Sequence, residues 1–409
     1  MPKRSRKAQN KETEIDIADQ YADEFNDSWD KKEKDNIHGF YGSDSHALGV
    51  VKTIYSGLPT LDRTLAFRRD TNIYGTPLNK MFEFFGGEST AKTTMSLYWC
   101  VQFIKAGGLA YYVDWEHKYD PVWLRTIAIK NGVSEELLKR RFRYVDPLYF
   151  EHFIMWLIKL EKKIIKSKNE ARKNIADLKK RKRKPNNFDE LISQYQRIID
   201  IPFIVVVDSI AAMYTKREKE KEEETDAMVG ELANLWNRVL KHIRYYLGYT
   251  NCLIVLVNQI RDRIEMNQWL AKRQTSKIKT PCGNAVKFFV DARIQISRIG
   301  RIKRTRKGIE YGIGSVHNIK VTKNCMGPPP FMESYQKLLN DRGFFPFYSL
   351  MEALKDAGKI RKEGSIYKFK LKEVYEVHES DLDEFADENP KIYNQLESIY
   401  RKYMGESNA

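Results

Sequence analysis

Lys80-Met81-Phe82-Glu83-Phe84-Phe85-Gly86-Gly87-Glu88-Ser89-Thr90-Ala91-Lys92-Thr93-Thr94-Met95-Ser96-Leu97-Tyr98-Trp99 passes from an apolar run through a glycine-containing loop into a second run of apolar residues. The order reads as strand, tight loop, helix. Such a loop points consecutive backbone N–H groups at one place, where the positive end of the helix dipole also lies. An anion fits that nest. Lys92 can reach the terminal phosphates of a nucleotide, and the Thr93 hydroxyl can hold a magnesium ion, which is the physical content of the pattern G-x-x-x-x-G-K-[ST]. The phosphate-binding candidates are therefore Gly87, Glu88, Ser89, Thr90, Ala91, Lys92, Thr93 and Thr94. Ala91 departs from the pattern, standing where it has its second glycine. If residue 91 lies in the first helical turn the methyl group costs little, and if the loop needs a positive φ there, nucleotide affinity suffers.

The 409 residues, 42% of them hydrophobic, suffice for one large core and a small satellite. Lys and Arg number 71 against 55 Asp and Glu, a formal charge of +16 that favours a polyanionic partner. Cys100, Cys252, Cys282 and Cys325 lie far apart without C-x-x-C spacing, so neither a zinc site nor a disulfide framework is expected. No apolar stretch follows the basic start at Pro2 to Lys7, and the apolar runs are too short for a bilayer. The expectation is a cytoplasmic protein with no membrane partner.

Before the loop, Ile15, Ile17, Ala18, Tyr21, Ala22, Phe25 and Trp29 recur at helical spacing, and Gly39 to Gly49 reads as a linker. After it, Leu109 to Asp114 is a buried strand, with Trp115-Glu116-His117 at its carboxyl end, where ligands bind in open parallel sheets. Glu116 is the candidate to polarise an attacking water. Asp120 caps the next helix with Pro121 at its first position, which brings Trp123 near the same cleft, where its ring could stack on adenine. Residues 151–199 read as a helical hairpin with a strongly basic stretch from Lys166 to Lys184: a phosphate-binding arm or a solvated charged helix. Phe203 to Ser209 is a β-branched run ending in Asp208, the second carboxylate expected at the magnesium. Lys216 to Thr225 reads as a surface loop. Asn251 to Gln259 is a further buried strand with two amides at its end. The stretch Ile260 to Cys282 reads as a long loop with Arg261, Arg263, Lys272, Arg273, Lys277 and Lys279 around Trp269, suited to the phosphates and bases of single-stranded nucleic acid. Gly283 and Asn284 open a helix. Two strands, Ala292 to Ser297 and Ser315 to Thr322, flank a basic turn at Arg301 to Lys307. A small module follows from residue 344, with a helix over Leu350 to Ala357 and a pair of strands over Ser365 to Lys372.

These pieces in this order resemble the RecA family of homologous recombinases. The strings that carry the resemblance are Gly87 to Thr94, Asp114 to Pro121, Val207 to Ala212, Asn258 to Arg261 and Gly283 to Phe288. The resemblance implies an α/β fold: a RecA-like phosphate-loop ATPase core with a mostly parallel twisted sheet over 46–343, a basic tail and helical arm over 1–45, the insertion at about 151–199, and a small α+β domain over 344–409. It implies ATP and magnesium as cofactors, and a DNA-dependent ATPase that forms a helical filament on single-stranded DNA, pairs it with homologous duplex and exchanges strands in recombination and repair. By position, Lys92 and Thr93 would bind phosphate and metal, Asp208 would hold the metal, Glu116 would activate water, and Asp120 and Trp123 would hold adenine. Gln259 would sense the γ-phosphate, and Lys323 would arrive from the neighbouring subunit. Residues 216–230 and 260–282 would be the two DNA-binding loops, with Lys241, Gly283 and Asn284 beside them. Cys325 and Asn234 stand where the family has a lysine and a DNA-contacting arginine. These departures, with the long basic arm, suit a divergent member such as a bacterial virus would encode.

Two other functions fit the same motifs. One is a related motor, a ring-shaped helicase or branch-migration ATPase, which the shape of the assembly would distinguish. The other is a DNA-coating filament for which ATP is chiefly an assembly ligand.

Overall fold

The computed structural model describes residues 52–66, 74–181, 183–220, 231–262, 278–279 and 283–404. The helix expected over Ile15 to Trp29 lies outside them. The strands are β1 (Thr53–Ile54), β2 (Thr76–Pro77), β3 (Lys80–Gly86), β4 (Leu109–Asp114), β5 (Phe142–Val145), β6 (Phe203–Asp208), β7 (Cys252–Gln259), β8 (Arg261–Asp262), β9 (Ile278–Lys279), β10 (Ala292–Arg306), β11 (Ile309–Asn324), β12 (Met332–Leu339), β13 (Gly343–Phe344), β14 (Arg361–Glu363), β15 (Ile366–Lys370) and β16 (Val374–His378).

Nine of them form one sheet in the order β13-β12-β11-β10-β3-β7-β6-β4-β5. The pairs from β10 through β3, β7, β6 and β4 to β5 are parallel, and those from β10 to β13 antiparallel. The central strands of the parallel half, β3, β7, β6 and β4, are built from mainly apolar runs, because helices cover both faces. Alternation along each strand sends Phe82, Phe84, Ile204, Val206, Val255 and Val257 into one core with the helices Lys92–Lys105 and Pro121–Lys130. Met81, Val205, Val207, Ile254 and Leu256 enter a second core under the helices Phe150–Lys180 and Glu231–Leu247. A third core joins the helices Pro346–Asp356, Leu382–Glu388 and Pro390–Tyr403 to the sheet β14-β15-β16.

The expected basic turn at Arg301 to Lys307 is a strand instead. β10 continues to Arg306, and only Lys307 and Gly308, both at positive φ, make the turn, as a two-residue hairpin loop requires. The density of charge hid a period of two: Ile302 and Arg304 are half-buried while Arg301, Lys303 and Thr305 are exposed. Arg304 bonds to Asp383, Glu384 and the carbonyl of Ser380 in the carboxyl-terminal module. Lys216–Glu220, expected as loop, is helical, and the rest of that stretch lies outside the described residues. The module's first helix starts four residues before Leu350, at Pro346, and its strand pair is three-stranded. The hairpin expected at 151–199 is present as the helices Phe150–Lys180 and Phe188–Asp200.

A buried polar chain ties three neighbouring strands. Arg293 on β10 donates through Nε to Glu83 Oε2 on β3 (2.5 Å), Asn258 Nδ2 on β7 donates to Glu83 Oε1 (2.9 Å), and the amide of Gln259 donates to Asn258 Oδ1 (3.0 Å). Glu83 and Asn258 are fully buried. Removing one partner of such a pair strands the other charge away from water. Arg293→Met should therefore cost about 3–5 kcal/mol, read as a fall in the urea midpoint; a midpoint within error of the unaltered chain would contradict this role for Glu83.

Candidate functional site

The phosphate loop follows β3, which lies between β10 and β7, and leads through the helix Lys92–Lys105 to β4, so it sits at the carboxyl end of a parallel strand, where ligands bind in open sheets. Gly86 stands at the first glycine of the pattern, and a Cβ there would sit 2.3 Å from the carbonyl oxygen of Ile296 and 2.8 Å from Thr90 Oγ1. Only glycine fits. Ala91 precedes the helix Lys92–Lys105 with φ 69°, in the left-handed region; the second of the two sequence-level alternatives is the one found. A non-glycine residue pays about 1–2 kcal/mol for that conformation. Lys92 Nζ donates to the carbonyls of Gly86 (3.1 Å) and Gly87 (2.5 Å), so its charge is held at the loop's mouth. Burial pulls its pKa below the usual lysine value, against the attraction of Asp208, Glu116 and Glu88.

Asp208 ends β6 and is buried. Its Oδ2 accepts from Thr93 Oγ1 (2.7 Å) and from Tyr112 Oη (2.6 Å) on β4. Burial raises its pKa; the Tyr112 and Thr93 hydrogen bonds oppose the rise, and Glu116 and Asp114 add to it. A hydroxyl and a carboxylate oxygen beside Lys92 form a hard donor set that fits magnesium, which keeps waters and takes other ligands from phosphate. Among the described residues no group of three or more His, Cys, Asp or Glu could hold a metal ion by itself. Asp114, at the end of β4, instead shapes the turn: Oδ1 accepts from the amide of Glu116 and Oδ2 from that of Tyr119.

Glu116 is held on three sides. Its Oε1 accepts from Ser209 Oγ (2.5 Å) and Gln259 Nε2 (2.7 Å), and its Oε2 from Lys118 Nζ (2.7 Å). Burial by itself raises its pKa, but the bonds from Lys118, Ser209 and Gln259 outweigh it and leave the group below the ordinary glutamate value. Glu116 is therefore ionised at neutral pH. Its contribution to stability is complete above the ordinary carboxylate range and is lost as the pH falls through the depressed value.

Gln259 is the last residue of β7, and the chain runs directly from it into β8. The amide of Ile260 donates to the carbonyl of Gly86 (3.3 Å). β8 pairs antiparallel with β9, Arg261 opposite Lys279 and Asp262 opposite Ile278, so what was expected as open loop closes on a short ladder. Arg263, Trp269, Lys272, Arg273 and Lys277 lie outside the described residues. Gly283 and Asn284 open the helix Gly283–Phe289. Lys241 and Asn234 are exposed on Glu231–Leu247, Lys241 lying about 15 Å along that helix from Glu231.

Asp120 Oδ1 caps its helix through the amides of Val122 (2.8 Å) and Trp123 (3.2 Å), and the Trp123 indole N–H donates to Thr94 Oγ1 (3.3 Å). The half-buried indole thus stands beside the phosphate-loop helix. Lys323 is not brought to the loop of its own chain. It pairs with Arg293, which pairs with Glu83, so it is two strands from β3 and below Gly86. Its ammonium bonds the carbonyls of Lys287 and Phe288 at the end of Gly283–Phe289 (both 2.9 Å). Exposed Cys325 follows two residues later.

Sequence reading gives no role to Tyr112, Lys118 or Ser209. A phenol two residues before the end of β4 carries no motif, and only register places Tyr112 opposite Val206, beside Asp208. Glu83 and Arg293 were equally silent, as polar residues inside apolar runs whose pairing depends on strands 210 residues apart.

A sequence profile of the RecA N-terminal domain matches residues 42–139 and 189–345. The chain is similar to the protein RecA of Acinetobacter baylyi, 29% identical over 355 residues, 87% of this chain and 84% of the relative. It is 27% identical to the protein RecA of Aquifex aeolicus over 356 residues, 87% and 85% of the two chains, and 26% identical to that of Synechocystis over 362 residues, 88% and 84%.

The left-handed Ala91 yields a prediction. Ala91→Gly should raise the stability by about 1 kcal/mol, the strain removed less the entropy added to the unfolded chain, measured as a higher urea midpoint. A midpoint that falls would mean that the loop carries no strain at this residue.

Proposed function

The chain belongs to the RecA family, and on that premise we propose that it is an ATP-dependent DNA recombinase, which assembles on single-stranded DNA and pairs it with homologous duplex. The observation that carries the reading is the position of Gln259 between the candidate site and the stretch that follows β7. Its side chain holds Glu116, the candidate group for water, while its backbone begins the stretch 260–282 read from sequence as DNA-binding. A nucleotide at the phosphate loop and DNA at that stretch would then bias the same few hydrogen bonds.

The residues divide the work as follows. The backbone of Gly87 to Thr94 and the Lys92 ammonium receive phosphate oxygens. Thr93 Oγ1 and Asp208 would hold magnesium, which when bound supplies positive charge against that developing on the phosphates. Glu116 orients the attacking water and accepts its proton; a carboxylate with a depressed pKa is a weak base, so orientation is its larger share. Its Oε2 is free to turn to water when Lys118, exposed at 70% of its side chain, swings away. Asp120 and Trp123 stand on the side where adenine would lie. Lys323, remote from its own loop, would complete the site of a neighbouring subunit by leaving the carbonyls of Lys287 and Phe288, which makes turnover depend on assembly.

Ala91 favours a second reading, a filament that coats DNA and turns ATP over slowly, because strain in the phosphate loop weakens the grip on the nucleotide. Magnesium-dependent ATP hydrolysis and duplex–single-strand exchange, measured with and without single-stranded DNA over a range of protein concentrations, separate the two. The recombinase reading expects hydrolysis that DNA stimulates and that rises cooperatively with protein. It expects both activities to vanish in Lys92→Ala, and Glu116→Gln to keep nucleotide binding while losing on the order of 10²–10⁴ in turnover. Tight DNA binding without stimulated turnover or exchange would overturn it in favour of the coating filament.

A further inference from the structure

The helical arm lies largely outside the family match, which stops at residue 139 and resumes at 189. It is anchored along the full height of the sheet. At its start the amide of Phe150 donates to the Tyr214 carbonyl (2.8 Å), and Glu151 Oε2 accepts from the amide of Lys216 (3.1 Å), just beyond the carboxyl end of β6. Eighteen residues on, Lys168 is buried, its ammonium donating to the carbonyls of Ile199 (2.6 Å) and Ile201 (3.1 Å) immediately before β6 begins. The helix then runs on to Lys180, about 18 Å past the sheet's end and away from the phosphate loop.

Its charge is arranged, not merely abundant. Lys159, Lys162, Lys163, Lys166, Lys173 and Lys180 are all exposed and fall within roughly 100° of helical arc, opposite the face that buries Leu157, Ile164 and Lys168. Glu170 and Asp177 share that arc, Glu170 at 3.9 Å from Lys166, so the cations outnumber the acids three to one. At the tip every described residue from Lys179 to Lys184 is exposed and cationic. No aromatic residue occurs between Trp156 and Phe188.

That combination selects its partner. Single strands are held by stacking on aromatic rings as well as by charge, and the lysine face of this helix offers no ring, the nearest at the tip being the half-buried Phe188, which Lys184 covers at 4.5 Å. A duplex presents one negative charge for each ~1.7 Å of its axis, and the ~32 Å from Lys159 to Lys180 follow about nine base pairs of it. We propose that the arm is a docking site for double-stranded DNA, gripped through its phosphates without regard to sequence and separate from the nucleotide site. The choice of DNA as the polyanion rests on the recombinase reading. The arm would hold duplex on the side of the sheet away from the phosphate loop.

The test uses the full chain and the variant K162Q/K166Q/K173Q/K180Q, with anisotropy of a labelled 40-base-pair duplex (roughly four times the arm's span) followed against salt. The expected result is a loss of duplex affinity on the order of tenfold or more. The slope of log K against log salt should shrink by about 0.9 for each lysine on a phosphate, up to roughly 3.6. Single-stranded-DNA-stimulated ATP hydrolysis should be unchanged, and the fourfold Lys→Arg variant should keep the duplex affinity. Unchanged duplex affinity and slope in the glutamine variant would overturn the proposal, as would a loss confined to binding of phosphatidylserine vesicles. Absence of DNA-stimulated hydrolysis in the unaltered chain would defeat the recombinase reading and leave the duplex arm standing.

Discussion

The bond from Gln259 to Glu116 is the contact through which the separate parts of this molecule meet. β4 carries Glu116 on the turn beyond its end, β6 carries Asp208 and then Ser209, and β7 ends in Gln259. None of the three is near the others in sequence. They converge because β4, β6 and β7 are parallel neighbours in register, Asp114 opposite Asp208 and Val207 opposite Leu256, so their carboxyl ends emerge at one edge of the sheet. The cost of gathering acids there is visible in Asp208, whose pKa burial raises. Glu116, by contrast, is surrounded by donors and stays ionised. One carboxylate is suited to a cation, the other to water.

Behind that edge a second polar chain does for the strands what the first does for the site. Glu83, Asn258 and Arg293 cross β3, β7 and β10 inside the core, and Asn258 receives the amide of Gln259. The orientation of Gln259 is therefore determined from both sides, by a buried network below it and by Glu116 above. A polar network of this kind is stable only when every member is satisfied, which leaves few ways for Gln259 to move without breaking several bonds together. Ala91 works in the opposite sense, placing conformational strain beside the phosphate nest.

How much of this could be read from the chain alone follows from what kind of signal each part carries. The phosphate loop and the strands to Asp114, Asp208 and Gln259 were legible, since they are local: glycines before a lysine, apolar runs ending in polar residues. The arm was legible from its helical stripe and its lysines. The β10–β11 hairpin was not, because consecutive arginines and lysines masked the alternation that puts Ile302 and Arg304 on one side. Tyr112, Ser209 and the Glu83–Arg293 pair were silent for another reason: their roles come from register between strands far apart in sequence. Whether Ala91 was harmless or strained was a question about one dihedral angle, which no composition or spacing encodes.

The central claim is that Gln259 couples nucleotide to DNA. It is tested most directly by measuring the affinity for single-stranded DNA with and without a non-hydrolysable ATP analogue, in the unaltered chain and in Gln259→Ala. Linkage requires the same factor to appear in the affinity for the analogue with and without DNA. The account predicts a coupling of about 5–150-fold in the unaltered chain, and its collapse toward unity in the variant, with analogue affinity in the absence of DNA little changed. Full coupling in Gln259→Ala would contradict it and move the connection between the two ligands elsewhere.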